Sequence, residues 1–202
     1  YFSNGFENDT EDWTGRGTAN VASSANTGYV GNNSLFVSGR TSSWNGAQKA
    51  LSDRVFKPGN EYSFSVNVKF DSEKITDKFF MKLEYSDANG KKQYALIAEG
   101  IAVKGEWMQL SNPNFKIPLD AEDMYLYIET YDGNNNFYID EAIGAVGGTG
   151  ILGAGVQKFI LGDINFDGVV DAYDMILARR GCLSSFDSTL AQAAADVDQN
   201  GV

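Results

Sequence analysis

The sequence predicts an all-β domain, an antiparallel β-sandwich of jelly-roll type, followed by a short loop–helix segment near the C-terminal end. Polar and apolar residues alternate along 62–70 and along 79–85. A period of two places every second side chain on one face of a strand. Turn residues separate these segments, and no convincing 3.6-residue pattern competes with them before residue 146. Short strands of this kind pack as two antiparallel sheets around one core.

The alternating segments predict strands that each place one face on the core. Within 62–70 the apolar residues are the even-numbered ones, and within 79–85 the core-facing set is odd-numbered. Gly, Pro, Asn and Asp favour turns because they tolerate or pre-set unusual backbone angles. Clusters of these residues predict turns at Pro58-Gly59-Asn60, Asp87-Ala88-Asn89-Gly90, Asn112-Pro113-Asn114 and Asp132-Gly133-Asn134.

A third segment, 124–131, departs from the usual polarity of a strand. The even positions are typical of a core: Met124, Leu126 and Ile128. The opposite face carries Tyr125, Tyr127, Glu129 and Tyr131. Aromatic rings on a face that meets water favour a binding surface. The alternative is that a loop or the other sheet covers this face, although burying Glu129 without a partner would be costly.

Composition divides the chain into three parts. The stretch 142–156 is rich in glycine and has neither a charged residue nor a proline, which predicts a linker over most of it. We therefore predict a β-sandwich over residues 1–146, a Gly-rich linker over 147–160 and a separate segment over 161–202.

Charge and composition exclude several classes of function. The formal net charge of −11 repels phosphate backbones and anionic lipid headgroups, so we expect neither nucleic acid nor membrane as a partner. The chain has no histidine, which removes His-based catalytic triads and leaves oxygen ligands for a hard cation. The single cysteine, Cys182, cannot form an intrachain disulfide. No apolar run is long enough to span a bilayer. We expect a monomer that is an internal piece of a longer, processed protein.

The most specific motif is a calcium-binding loop of the EF-hand type at 163–174. Such a loop has oxygen ligands at positions 1, 3, 5, 9 and 12, a backbone carbonyl at position 7 and Gly at position 6. The corresponding ligands here are Asp163, Asn165, Asp167, Val169, Asp171 and Asp174. Position 12 is usually Glu, so Asp174 has a shorter reach. The residues that follow, 175–181, predict a helix that ends at Gly181.

The loop pattern begins again at Asp196, and the two repeats resemble a type I dockerin over residues 161–202. The resemblance implies bound calcium and attachment to a cohesin of a scaffold protein, although the second repeat here is partial. It implies cohesin contacts at Ala172, Tyr173, Arg179 and Arg180. The alternative for Arg179 and Arg180 is that they only complement the negative end of the helix.

Residues 2–146 resemble a family 22 carbohydrate-binding module. The matching stretches are 5–7, 13–17 (WTGRG), 40–47 (RTSSWNGA), 58–66 (PGNEYSFSV), 81–83, 112–113, 123–130 (DMYLYIET) and 137–144 (FYIDEAIG). The family is a β-sandwich that binds xylan, and in some members mixed-linkage β-glucan, in a groove on one sheet. It carries out no chemistry.

Carried over position by position, this resemblance implies ligand contacts at Arg16, Trp44, Tyr94, Tyr127 and Glu129. Rings that stack on the C–H faces of sugars, with charged groups that hydrogen-bond to hydroxyls, suit a neutral polysaccharide. Trp44 lies in a polar, turn-like stretch where a core indole would be out of place. The alternatives are a solvated loop charge for Arg16 and a core ring for Tyr94.

The same resemblance implies one structural calcium ion that joins the first and last strands. Its ligands include Glu7 and Asp140, with Asp9 or backbone carbonyls near Asn33 as further candidates. An ion bound there stabilises the folded state by mass action. The alternative is that Glu7 and Asp140 are ordinary carboxylates of edge strands.

We therefore predict a non-catalytic module that binds xylan or xylo-oligosaccharides and holds an attached plant cell-wall hydrolase, such as a xylanase, near its substrate. The dockerin resemblance implies a secreted, extracellular protein that docks into a scaffoldin cohesin, with calcium as cofactor. An adhesion module whose aromatic face meets protein is one alternative. A calcium-assisted glycosidase or lyase is the other, and it needs Glu129 and a second acid, such as Glu84 or Asp132, about 5–9.5 Å apart.

Overall fold

Two antiparallel sheets face each other in the computed structural model, which describes residues 1–151, 153, 160–165, 169–186 and 189–198. The strands are β1 (Phe2–Asn4), β2 (Thr14–Arg16), β3 (Asn20–Ala25), β4 (Asn33–Ser38), β5 (Gly46–Ala50), β6 (Glu61–Phe70), β7 (Thr76–Ser86), β8 (Lys92–Val103), β9 (Met108–Lys116), β10 (Glu122–Thr130) and β11 (Phe137–Val146). The first sheet has the order β3-β4-β11-β6-β9, with β1 also paired to β11, and the second has the order β2-β5-β10-β7-β8. The predicted antiparallel sandwich is confirmed.

The core lies between the sheets, on the strand faces that the alternation predicts. The following side chains of β6, β7 and β10 are fully or almost fully buried there: Phe64, Val66, Val68, Phe70, Phe79, Met81, Leu83, Met124, Leu126 and Ile128. Burial of apolar surface contributes about 25 cal/mol per Å² to folding. Because these side chains are buried between the sheets, the opposite face of each sheet is the one available for contacts outside the core.

The polar face of β6 is also buried, which the alternation does not predict. Ser63, Ser65 and Asn67 are all inaccessible to solvent or nearly so. The chain that follows β11 covers part of this face, because the Ser63 hydroxyl donates to the carbonyl of Thr149 at 2.7 Å. Gln109 Nε2 donates both to Ser65 Oγ and to the carbonyl of residue 151, at 2.7 and 3.0 Å. The first residues of the predicted linker are thus held against the first sheet.

The predicted turn at Asn112-Pro113-Asn114 is wrong, because these residues lie within β9. This strand is at an edge of the first sheet, where a proline without an N–H group removes no bond on the open side. The pairing of β6 with β9 also shifts register between Tyr62 and Phe64, which accommodates the irregular segment. By contrast, Asp87 and Gly90 form the predicted turn, with a bond of 2.8 Å from Gly90 N to the Asp87 carbonyl.

Residues 142–146 of the glycine-rich stretch complete β11 and are not linker. Ala142 pairs with Asn4 of β1, and Val146 pairs with Tyr62 of β6. Gly144 lies under the ring of Phe2, since a Cβ there would be 2.4 Å from Phe2 Cε1. The glycine that suggested a linker therefore permits close packing inside the sheet.

The segment after the sandwich contains α1 (Ala172–Leu183) and α2 (Thr189–Ala195). The helix after the loop does not end at Gly181 as predicted. Gly181 has no side chain, and this leaves room for Phe186, because a Cβ at Gly181 would lie 2.2 Å from Phe186 Cε1. A small apolar cluster that includes Ile164 and Ala194 joins α1 to α2. In the described ranges, no helix combines the length and apolar character needed to cross a membrane.

Candidate functional site

A shallow groove of about 460 Å³ lies on the second sheet, on the face turned away from the core. The side chains that line it are Arg16, Trp44, Lys82, Tyr94, Tyr127 and Glu129. The structure thus brings together all five ligand residues that the family resemblance implies, although they come from four separate segments of the chain. It adds Lys82, which the sequence did not single out.

Sheet register explains why these residues meet. Tyr127 of β10 lies between Gln48 of β5 and Lys82 of β7. Tyr94 of β8 is the neighbour of Glu84, and Arg16 of β2 is the neighbour of Gly46 in β5. Strands β2, β7, β8 and β10, together with the loop before β5, therefore form one continuous surface.

Tyr127 is on the predicted face but is only 2% exposed, which corrects the expectation of an open ring. Arg16 covers it, with the guanidinium carbon 4.0 Å from the ring centroid of Tyr127. Burial, together with the nearby Glu129 carboxylate, raises the pKa of Tyr127 above its ordinary value. The phenol therefore stays protonated and can both donate and accept a hydrogen bond.

Arg16 is held by acceptors on two other strands. Its Nη1 donates to Glu84 Oε2 at 2.5 Å and to Gln48 Oε1 at 3.4 Å. Its Nε is buried and has no hydrogen-bond partner among the described residues. The alternative of a solvated loop charge is wrong, since the side chain is fixed over Tyr127 and only 12% exposed.

Trp44 and Tyr94 supply the open aromatic surface of the groove. They are 53% and 57% exposed, so neither is a core ring. Trp44 precedes β5, while Tyr94 lies on β8 at the far edge of the sheet. The Tyr94 ring meets Tyr127 edge to face, with centroids 6.4 Å apart. The two exposed rings therefore stand on either side of the buried Arg16–Tyr127 pair.

The loop that carries Trp44 is fixed from below by polar contacts. Asn45 is fully buried, and its Oδ1 accepts hydrogen bonds from the backbone N–H groups of Thr41 and Ser42 at 2.9 and 3.0 Å. Arg40 donates to the carbonyl oxygens of Asn45, Ser43 and Asn135 and to the hydroxyl of Thr130. Burial lowers the pKa of Arg40 to about 10, which still leaves it charged at neutral pH. The indole is thereby presented on a rigid support.

Glu129 is buried in the groove and paired with Lys82, whose Nζ donates to Glu129 Oε1 at 2.6 Å. The groove therefore contains two cations, Arg16 and Lys82, each paired with a carboxylate, Glu84 or Glu129. Such a site has little net charge and several directional groups, which suits a neutral polyhydroxylated ligand better than an ion. Alternation in β7 places Lys82 on the outer face, but only the order of the strands shows that it faces Glu129.

The acids considered for an enzyme are each engaged by a cation. Glu84 contacts Arg16 and Lys92, with Lys92 Nζ 3.5 Å from Glu84 Oε1. Asp132 is paired with Lys74 at 2.7 Å on the exposed surface. Each of these acids is thus held in an ion pair with a basic side chain of the protein.

The proposed calcium ligands of the sandwich, Glu7 and Asp140, lie on either side of one loop. Glu7 Oε1 accepts from the backbone N–H groups of residues 32 and 33 at 3.0 and 3.1 Å. Asp140 Oδ2 accepts from those of residues 29 and 30 at 2.7 and 3.1 Å. Burial raises the pKa of Asp140, and the negative charge of Glu7 adds to this rise. Among the described residues no basic side chain pairs with either carboxylate, and carboxylate oxygens are ligands that fit a hard cation. Asp9, in contrast, is exposed and accepts from Glu11 N at 2.7 Å.

The EF-hand-type loop is described only in part, and Asp167 lies outside the described residues. Asp163 and Asp174 are buried, and Asp174 accepts from the backbone N–H groups of Ile164 and Asp171 at 2.8 and 2.9 Å. Asp171 caps α1 by accepting from Tyr173 N at 2.7 Å. Carboxylate and amide oxygens are what calcium prefers, so the donor chemistry fits. Over the described ranges, no group of three or more acidic, His or Cys side chains is arranged to hold a metal ion.

The predicted cohesin contacts all lie exposed on α1: Ala172, Tyr173, Arg179 and Arg180. Met175 and Ile176 are exposed beside them, at 63% and 60%. Arg180 is also in the last turn of the helix, as the alternative explanation requires. Exposed apolar and basic side chains on one helix are typical of an interaction surface.

A sandwich with a shallow aromatic groove and an appended loop–helix segment defines a class of binding proteins, not of catalysts. Residues 1–135 match the family described as carbohydrate binding domain, and residues 161–202 match the type I dockerin domain. Type I dockerins bind calcium.

Two solved structures are close to the sandwich. One is the C-terminal family 22 carbohydrate binding module of Clostridium thermocellum Xyn10B, with 48% identity, a TM-score of 0.74 and coverage of 75% of this chain and 96% of that one. The other is the CBM22-1 xylan-binding domain of Paenibacillus barcinonensis Xyn10C, with 26% identity, a TM-score of 0.67 and coverage of 74% and 95%.

Two enzymes have similar sequences. Endo-1,4-beta-xylanase Y of Acetivibrio thermocellus is 45% identical over 193 residues, or 94% of this chain. Xylanase/beta-glucanase of Ruminococcus flavefaciens is 41% identical over 149 residues, or 74% of this chain. The chain spans 18% of the length of each enzyme. It belongs to family 22 of the carbohydrate-binding modules and continues into a type I dockerin segment, both of which are non-catalytic parts.

Proposed function

We propose that this chain binds xylan through the groove of the second sheet. The observation that carries the proposal is the arrangement of the groove: two exposed rings, Trp44 and Tyr94, flank a charge-balanced floor. Rings stack on the apolar C–H faces of pyranose units, and the floor offers the Arg16 guanidinium and the Glu129 carboxylate to sugar hydroxyls. A neutral chain with hydroxyls along its edge and apolar ring faces matches these groups. Two similar solved structures are xylan-binding domains, which supports the same choice.

The biological role that we propose is targeting. A module that holds xylan keeps an attached plant cell-wall hydrolase, such as a xylanase, at high effective concentration near its substrate. The exposed surface of α1 then attaches the protein to a cohesin of an extracellular scaffold. Similarity to xylanase Y across both the sandwich and the dockerin segment supports this role.

We further propose calcium at two places in the chain. In the dockerin segment the ligands are Asp163, Asn165, Asp167, Val169, Asp171 and Asp174, of which Asp167 lies outside the described residues. In the sandwich, Glu7 and Asp140 hold an ion beside the loop at 29–33. A calcium ion that binds only the folded state raises the midpoint of thermal unfolding. Asp140→Asn should remove that calcium-dependent rise for the sandwich transition, while Asp53→Asn, on an exposed loop, should retain it.

Calorimetric titration with xylohexaose and, in parallel, cellohexaose tests the xylan proposal. We expect binding of xylohexaose that weakens at least about tenfold in Trp44→Ala, because one stacking platform is lost. Tyr173→Ala removes an exposed ring outside the groove and should bind like the unchanged chain. If the folded protein binds neither sugar, the xylan assignment is wrong, and a protein partner becomes the better explanation of the aromatic surface.

A further inference from the structure

A second group of aromatic rings lies on the first sheet, on the side of the sandwich opposite to the groove. Phe36 of β4 and Tyr138 of β11 are cross-strand neighbours with ring centroids 4.9 Å apart and planes inclined by 30°. Lys69 of β6 is the neighbour of Tyr138 on its other side. Trp107 lies next to Lys69, just before β9. We call these four residues the first-sheet platform.

The platform adjoins a cavity of about 400 Å³ whose lining includes Thr27, Lys69, Lys104 and Tyr138. This volume is within the range of about 300–1,000 Å³ that is usual for small-ligand sites. Both lysines reach the cavity, and Asp71 is the acidic residue that lines it. Asp71 Oδ1 lies 3.6 Å from the Nζ of Lys104; the Asp71 side chain is largely exposed and the Lys104 side chain is partly exposed.

Lys69 is the group that sets the chemistry of this surface. Its Nζ lies 4.7 Å from the ring centroid of Trp107 and 5.5 Å from that of Tyr138. Its one hydrogen bond among the described residues is a long one, 3.5 Å, to the carbonyl of Thr27. In the same part of the chain no carboxylate lies within ion-pair distance of Lys69. An ammonium group has three donors, so Lys69 keeps donors for a ligand.

The two surfaces therefore differ in charge. In the groove, each cation is paired with a carboxylate of the protein. On the platform, the aromatic rings surround Lys69, which has no carboxylate partner among the described residues. An anionic ligand with an apolar face complements such a site, because the carboxylate accepts a charge-assisted hydrogen bond while the face stacks on the rings.

We propose that the first-sheet platform is a second carbohydrate-binding site, which takes an acidic saccharide unit, a hexuronate carried by a polysaccharide. The saccharide class follows from the family to which the chain belongs, and the acidic character follows from Lys69. In this arrangement the uronate carboxylate accepts from Lys69, with Lys104 adding attraction at the edge of the cavity. The pyranose face lies against Tyr138 or Trp107. The site is separate from the groove and does not depend on what the groove binds.

Amide and indole N–H shifts in ¹⁵N-labelled protein test this proposal. The background is Trp44→Ala, which weakens the groove, and the probes are xylotriose bearing one glucuronic acid side group and neutral xylotetraose. We expect the acidic probe to move the Trp107 indole and Tyr138 amide signals with saturation, and to bind at least about tenfold more tightly than the neutral one. Added salt should weaken this binding.

Three further variants identify the role of the charge. Lys69→Met keeps the aliphatic stem but should abolish the shifts, and Lys69→Arg should restore much of the binding. Lys116→Met removes an exposed lysine of the same sheet and should leave the shifts unchanged. Equal binding of the two probes, unmoved Trp107 and Tyr138 signals, or full binding by a folded Lys69→Met variant would overturn the proposal. The groove proposal is tested separately with xylohexaose and the unchanged chain, which keeps Trp44. If the Trp44 indole signal does not shift there, the groove proposal is wrong.

Discussion

Gly17 and Trp44 approach so closely that a Cβ at Gly17 would lie 2.6 Å from Trp44 Cζ3 and 2.1 Å from Asn45 Nδ2. Gly17 also has a φ of +66°, a backbone conformation that suits glycine. Gly17 thus lets β2, which carries Arg16, pass directly beneath the loop that carries Trp44. The geometry of the groove depends on this contact.

Gly17→Ala should therefore weaken xylohexaose binding about tenfold, because Trp44 and Asn45 must both move. The unfolding free energy should also fall by about 1–3 kcal/mol from the strained backbone and the overlap. Gly90→Ala is the matched control, since Gly90 has a φ of +74° but no atom within 4 Å of a built Cβ. Calorimetry on both variants separates strain from displacement of the indole. Unchanged affinity in Gly17→Ala would show that the position of Trp44 is not critical.

Arg16→Lys should lower the affinity for xylohexaose about tenfold or more. A lysine ammonium does not present the planar fork that lies over Tyr127 while its Nη1 contacts Glu84 and Gln48. Arg54→Lys makes the same change at an exposed position and should have no effect on binding. The two titrations are compared under identical conditions. If both variants bind like the unchanged chain, Arg16 serves the fold and not the ligand.

Lys82→Met should destabilise the domain by about 1–2 kcal/mol, because it leaves the buried Glu129 carboxylate without its cation. Sugar affinity should fall as well, since Glu129 loses its fixed position. Lys78→Met is the control, because the Lys78–Glu99 pair is more exposed and should contribute less than about 1 kcal/mol. Urea unfolding of the two variants gives the comparison. Equal losses would mean that the Lys82–Glu129 pair is an ordinary surface ion pair.

Asp77→Asn should change how stability depends on pH. Burial raises the pKa of Asp77 above its ordinary value of 3.8, so the folded state binds more protons than the unfolded state as this group titrates. The unfolding free energy therefore falls as the pH rises from 3.8 to the raised pKa. The variant lacks this decline and keeps an acceptor for Asn135 Nδ2. The unfolding free energy of Asp77→Asn relative to that of the unchanged chain should therefore rise between pH 3.8 and the raised pKa of Asp77, and then stay constant.

Urea unfolding at a series of pH values, followed by tryptophan fluorescence, measures this difference. Asp53→Asn, on an exposed loop, should give a curve parallel to that of the unchanged chain. A parallel curve for Asp77→Asn would mean that Asp77 titrates alike in the folded and unfolded states.

Local pattern was sufficient to predict the sandwich and its core, because a period of two directly reports which face of a strand is buried. It was not sufficient at glycine and proline, whose roles depend on neighbours distant in sequence. Gly181 was expected to end a helix but accommodates Phe186, and Pro113 was expected to form a turn but lies in an edge strand. The glycine-rich composition of 142–156 suggested a linker over most of that stretch, but Gly144 lies in β11, where it allows Phe2 to pack against the strand.

The same limit applies to the groove. Resemblance supplied five of the lining residues, and the face of Tyr127 and Glu129 followed from alternation alone. Burial of Tyr127 could not be predicted, because it arises from Arg16, which is brought over the ring by the pairing of β2 with β5. Lys82 was missed for the same reason: only the pairing of β7 with β10 places it against Glu129.

A crystal structure of the chain with xylohexaose tests the central claim most directly. We predict that the oligosaccharide lies along the second sheet, with pyranose rings against Trp44 and Tyr94 and with hydroxyls bonded to Arg16 and Glu129. An oligosaccharide bound elsewhere on the sandwich, with the groove still holding only solvent, would contradict the claim that this groove is the xylan-binding site.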